Sequence, residues 1–248
     1  MICRNIVSEF KSCTFHVPLL FYLILPQKQK ACYNVNNKRW FNMYFQRKCK
    51  ITFICHGATI HSEEGRLSDA GNYPPLSELG IEEMENLTKY LKNRGVKNDS
   101  IYTSPSIRTV QSAMMVGKLF KQEYIVVEEL TPRKFGKLNG LTVSQLLDKY
   151  PEGYTSLLNN PHTTLQDTES STELIDRVNK IIENLVEKNI GNRIIIVTHP
   201  EIIQAAICAA LKIPAKNLSN IFIRTGSATQ ISYFDNWASL VYSDYTPL

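Results

Sequence analysis

The segment Arg193 to Thr198 contains four consecutive aliphatic residues, Ile194-Ile195-Ile196-Val197, and runs directly into His199-Pro200. A run this short and this apolar reads as a strand buried on both faces, because a strand with one wet face alternates in polarity. A second run, Ile51-Thr52-Phe53-Ile54-Cys55, is closed by His56-Gly57. Helical periodicity separates the two. Ser77 to Arg94 repeats Leu79, Ile81, Met84, Leu87 and Leu91 at helical spacing, with Ser77 as the cap. A helix is predicted from about Pro105 to Phe120, with proline early, where its missing N–H costs nothing. Ser171 to Lys188 puts Leu174, Val178, Ile181, Ile182 and Leu185 on one face, and Ile202 to Leu211 is apolar enough to be buried. Ile101-Tyr102, Tyr124 to Val127, Ile221 to Ile223, Thr229 to Phe234 and Leu240 to Tyr242 read as further strands. Strands alternating with helices predict an α/β fold of three layers (α/β/α) around a mostly parallel sheet.

Charge divides the chain. Residues 1–50 carry nine Lys/Arg against the single acid Glu9, which leaves nineteen basic and twenty-two acidic residues for the remainder. The net +5 therefore belongs to a basic leader, residues 1–49, and not to the domain over residues 50–248. Nucleic-acid binding is not expected, since the excess charge is off the folded part. The apolar stretch Val17 to Leu25 is interrupted by Pro18 and is too short to span a bilayer, which takes roughly 20 residues. No membrane association is expected, and Met43 is a plausible natural start. A targeting role for the leader and a non-native extension both stay open. Cys55 and Cys208 are the only cysteines in the domain. They do not form a disulfide framework, so a reducing cytoplasm is expected. There is no Cys-x-x-Cys spacing and no helical His pair, so neither metal nor cofactor is expected.

In an open parallel sheet, ligands bind beyond the carboxyl ends of the strands. If the two apolar strands are neighbours, His56 and His199 face one pocket. Ser104-Pro105-Ser106-Ile107-Arg108 brings a helix start and a guanidinium suited to phosphate oxygens. Each residue also has an ordinary reading, as a hydrogen-bonded strand-end histidine or a solvated arginine, and spacing does not choose between them.

At these residues the chain resembles the histidine phosphatase (phosphoglycerate mutase-like) superfamily. Cys55-His56-Gly57-Ala58-Thr59 stands where the family has Arg-His-Gly-Glu-Thr. Glu64-Gly65-Arg66-Leu67 and Pro75-Leu76-Ser77-Glu78-Leu79-Gly80 resemble the next two stretches. Ser104 to Ala113 resembles Ser-Pro-x-x-Arg-x-x-Gln-Thr-Ala, and Phe135 to Gly140 resembles Phe-Gly-x-Trp-Glu-Gly. Glu169-Ser170 and Arg177-Val178 match the helix before the last core strand, and Val197-Thr198-His199 resembles Val-Ser-His. The resemblance implies a phosphoglycerate mutase-like fold and a phosphatase working through a phosphohistidine on His56. Arg108 and His199 would hold the phosphoryl oxygens, with Gly57, Thr59 and Ser62 as further phosphate contacts. The ligand would be a phosphorylated small molecule or phosphoprotein; Ser62, Arg66, Tyr73 and the 131–170 insertion would line the mouth.

Three positions depart from the family pattern. Cys55 replaces an arginine, and losing one such contact costs about 2–4 kcal/mol of transition-state stabilisation. Pro132 replaces the general-acid glutamate, a group that contributes roughly 10²–10⁴ in rate. Pro200 replaces a glycine and removes a backbone donor. Glu128 or Glu129 could substitute as the acid, or both could be solvated strand-end charges. The departures leave two readings: an impaired phosphatase, or a pseudophosphatase that binds a phosphorylated ligand or protein without turnover. Mutase activity is not expected with both the arginine and the glutamate gone.

Overall fold

The segments anticipated as buried strands form the centre of one sheet. A computed structural model describes residues 47–70, 74–152, 160, 162–165 and 167–247. The readings of Val17 to Leu25, Met43 and Tyr73, and of the leader up to residue 46, lie outside the described residues. Along the chain come β1 (Cys49–Cys55), α1 (Ile60–Glu63), α2 (Glu78–Asn93), β2 (Ser100–Thr103), α3 (Ile107–Phe120), β3 (Tyr124–Val126) and α4 (Val143–Lys149). They are followed by α5 (Ser171–Lys188), β4 (Arg193–Thr198), α6 (Pro200–Leu211), β5 (Ala228–Tyr233) and β6 (Ala238–Tyr245). The sheet order is β3-β2-β4-β1-β5-β6. The first four strands in that order are mutually parallel, while β5 and β6 join antiparallel at one edge.

The centre is apolar because both faces of the sheet are covered. Alternate residues of β1, namely Cys49, Ile51, Phe53 and Cys55, pack with Ile194 and Ile196 of β4 under Leu174, Val178 and Ile182 of α5 and Ile202 and Ile203 of α6. On the opposite face, Ile54 of β1 and Ile195 and Val197 of β4 meet Met84, Leu87 and Leu91 of α2 and Ala113 and Val116 of α3. Three layers result, as the pattern of alternating elements predicts. A small third cluster, Phe135, Leu138 and Leu146, anchors the insertion between β3 and α5.

Several local boundaries differ from the sequence reading. β1 begins at Cys49, and Lys48 N–H donates to Tyr233 O at 2.8 Å. α3 starts at Ile107 with Ser106 as its N-cap, two residues later than Pro105. α6 starts earlier, at Pro200, whose fixed φ suits the first helical position. Ile221 to Ile223 is not a strand. It follows a 3₁₀ turn (Ala215–Asn220), and its Ile221 carbonyl accepts from Gln204 Nε2 while Ile223 joins the core. The sheet position beside β1 is filled instead by β5. Helix α4 escaped the periodicity argument, being short, but carries a capping box between Thr142 and Gln145. Among the described residues, no helix is long and apolar enough to cross a membrane.

Candidate active site

The register of the central strands decides the site. Cys55 of β1 lies opposite Thr198 of β4, so the next residue on each strand is a histidine at the same carboxyl edge. His56 N–H donates to Thr198 O at 3.0 Å, and the imidazole centroids of His56 and His199 are 5.3 Å apart with planes at 67°. β2 pairs with β4 on its other side, placing Ser104 next to the same edge; its N–H donates to Val197 O at 3.2 Å. Arg108, in the first turn of α3, is 2% exposed, and its Nε donates to His56 Nε2 at 3.3 Å. Its Nη2 donates to Ser68 O at 3.2 Å.

This network assigns the tautomer of His56. Nδ1 lies 2.8 Å from Gly57 O, an acceptor, so Nδ1 carries the hydrogen. Nε2 is then the unprotonated nitrogen, consistent with the guanidinium donor aimed at it. Burial first, and the positive charge of Arg108 second, pull the His56 pKa down to about 3. His199 is displaced well below its ordinary value by the same two causes in the same order. Its Nε2 is 2.9 Å from Ser104 Oγ, while its buried Nδ1 has no hydrogen-bond partner among the described residues. Two neutral imidazoles beside a buried guanidinium form a site with net positive charge, which suits a tetrahedral anion.

The supporting loop is tightly built. Gly57 and Gly80 lie back to back: a Cβ on Gly57 would be 2.2 Å from Gly80 O, and one on Gly80 would be 2.0 Å from Ala58 O. Glu83 ties the loop down, accepting from Ala58 N–H at 2.8 Å and from Thr225 Oγ1 at 2.9 Å. Gly57 N–H donates to Ser112 Oγ at 3.2 Å. Thr59 and Ser62 form the reciprocal capping box of α1, with Thr59 N–H donating to Ser62 Oγ at 2.8 Å. Gly57, Thr59 and Ser62 thus all make bonds that shape the loop itself. Arg66 pairs with Glu64 and donates to Gly140 O at 3.0 Å, bridging to the insertion.

The departures have distinct surroundings. Cys55 has no exposed surface and lies in the apolar cluster under α5 and α6. Burial, and next the Glu201 carboxylate, push its thiol well above the ordinary range, which favours the neutral thiol over the thiolate. Pro132 is buried, and its carbonyl accepts from Arg177 Nη2 at 3.4 Å. Arg177 also holds Glu129 O at 2.8 Å and Thr131 O at 3.2 Å while gripping the Glu169 carboxylate at 2.7 and 2.9 Å. The Glu169 and Arg177 segments therefore fasten the chain that carries Pro132. Glu128 and Glu129 lie on a 3₁₀ turn (Glu128–Leu130), both exposed.

Two charged residues near this edge were not singled out from the sequence. Arg133, 8% exposed, donates from Nε to Glu169 O at 2.9 Å. Glu201 sits in the first turn of α6, two residues past His199, half-buried, and interacts electrostatically with Arg108 and Arg133. The available signal for Glu201 was its place directly after His199-Pro200. Among the described residues, no group of three His, Cys, Asp or Glu side chains could hold a metal ion.

The chain belongs to the histidine phosphatase superfamily (branch 1), whose family model matches residues 51–244. Phosphoserine phosphatase 1 of Hydrogenobacter thermophilus is 26% identical over 163 residues, spanning 65% of this chain and 76% of that protein. The metal-independent phosphoserine phosphatase of Arabidopsis thaliana is 28% identical over 159 residues, covering 63% of this chain and 66% of the relative. In fold, the chain matches the crystallised phosphoserine phosphatase of Entamoeba histolytica in complex with 3-phosphoglyceric acid. The TM-score is 0.72 at 20% identity, over 80% of this chain and 98% of that one.

Proposed function

We propose that the domain is a phosphatase for small phosphomonoesters, working through a phosphohistidine on His56 Nε2. The observation that carries this reading is the pairing of Nδ1–H with Gly57 O, which leaves Nε2 unprotonated beside the Arg108 guanidinium. In the first step Nε2 attacks phosphorus in line with the ester oxygen, and the N–P bond forms as the P–O bond breaks. Arg108 and His199 hold the equatorial oxygens, where charge gathers in the transition state. Water then attacks phosphorus, the N–P bond breaks, and the electron pair returns to Nε2. The phosphoserine phosphatases among the relatives support a small phosphorylated hydroxy acid as the substrate class. Buried free thiols at Cys49, Cys55 and Cys208 fit a reducing, cytoplasmic setting.

The test is hydrolysis of p-nitrophenyl phosphate together with ³²P-labelling of the protein. Wild type should turn over and label, and His56→Ala should do neither; equal activity in both eliminates the reading. A second reading, ligand binding without turnover, draws on Pro132 and Cys55. It predicts that vanadate or inorganic phosphate binds in a manner sensitive to Arg108→Ala, with no hydrolysis of any ester.

A further inference from the structure

An alkyl phosphate leaves as an alkoxide unless a proton reaches the ester oxygen, and the pocket needs a source for it. The structure narrows the choice of carboxyl group. Glu128 and Glu129 are both exposed on their turn. Both oxygens of Glu83 are engaged, by Ala58 N–H and by the Thr225 hydroxyl. The Asp69 carboxylate accepts from Phe135 N–H at 3.2 Å and holds the insertion. Glu201 differs from all of these. It lies in the first turn of α6, whose N-cap is His199, and so emerges at the carboxyl edge where the two imidazoles meet. The residue is half-buried. It interacts electrostatically with Arg108, itself bonded to His56, and with Arg133 and Cys55.

The geometry points to Glu201 as the proton donor to the leaving oxygen, a role that rests on the phosphatase reading above. As the P–O bond breaks, the electron pair stays on the ester oxygen, which takes the Glu201 proton and departs as an alcohol. In the second half the Glu201 carboxylate accepts a proton from the attacking water, which restores the acid. Burial favours the protonated carboxyl, while its own N–H, Arg108 and Arg133 oppose this. A bound phosphate dianion offsets the two arginines, so substrate itself strengthens Glu201's hold on the proton.

The test compares leaving groups in Glu201→Gln. With phosphoserine, an alkyl ester, kcat/KM should fall by roughly 10²–10³; with p-nitrophenyl phosphate, whose leaving group needs little protonation, it should fall less than about tenfold. Glu201→Asp keeps the carboxyl on a shorter arm and should lose alkyl activity selectively but less severely, which covers the case in which the amide variant misfolds. Equal falls for the two esters, or an unchanged rate on phosphoserine in either variant, overturn the assignment and leave the phosphatase reading standing. Wild-type protein that hydrolyses neither ester overturns both.

Discussion

Gly57 joins the loop that follows His56 to the second helical layer, and Gly57→Ala tests how closely the proposed site depends on that contact. The added Cβ would lie 2.2 Å from Gly80 O, 2.8 Å from Gly80 C and 3.0 Å from Gly80 Cα. A close C–H···O contact needs about 3.3 Å between carbon and oxygen, so strand end and helix start must separate by roughly 1 Å. Backbone lies on both sides, so no side chain can rotate away. Overpacking of this kind costs about 1–3 kcal/mol. The displaced residue is the one whose carbonyl accepts from His56 Nδ1 and whose N–H is held by Ser112. If His56 is the nucleophile as proposed, a shift of about 1 Å there removes roughly 10² in rate. The urea midpoint reads stability at constant m, and p-nitrophenyl phosphate turnover reads the site. Stability within about 0.5 kcal/mol of wild type, with turnover within about twofold, refutes the argument.

The other predictions concern protonation, support and chain limits. Both buried imidazoles are neutral when folded, whereas in the unfolded chain histidine titrates near 6.5. The unfolded state therefore binds more protons as pH falls from about 6.5 towards 3, and stability should drop by up to about 1.4 kcal/mol per pH unit per ring. Unfolding midpoints over that window should flatten in His199→Gln; a slope equal to wild type contradicts this. Ser104→Ala leaves the buried His199 Nε2 without its 2.9 Å partner and should cost about 1–3 kcal/mol, seen as a lower melting temperature. Unchanged melting would mean the bond contributes nothing. Cys55→Arg combined with Pro132→Glu should raise phosphatase activity by roughly 10²-fold or more if the pocket still accepts the guanidinium. No gain would show that the core around Cys55 has closed that space. A chain beginning at Met43 retains all of β1 and should stay folded by circular dichroism; loss of structure would make the preceding residues integral.

Much of the fold can be read along the chain because its signals are local. The run Ile194 to Val197 needs no partner to be recognised as a buried strand, and α5 matches its predicted limits, Ser171 and Lys188. His56, His199 and Arg108 stand out because each follows or opens such an element. What the pattern cannot supply is everything that depends on which distant segments pack together. Ile221 to Ile223 has strand-like composition, yet the place beside β1 belongs to β5. Gly57 and Gly80 are ordinary glycines in sequence and a shared backbone contact in space. The His56 tautomer depends on a carbonyl and a guanidinium that converge only after β1, β4 and α3 have assembled. The interest of Glu201 likewise arises from its partial burial next to His199 in space and its electrostatic interaction with Arg108 and Arg133. Periodicity is set by neighbours a few residues away, whereas register, desolvation and charge proximity are set by the sheet order, which only the packed chain determines.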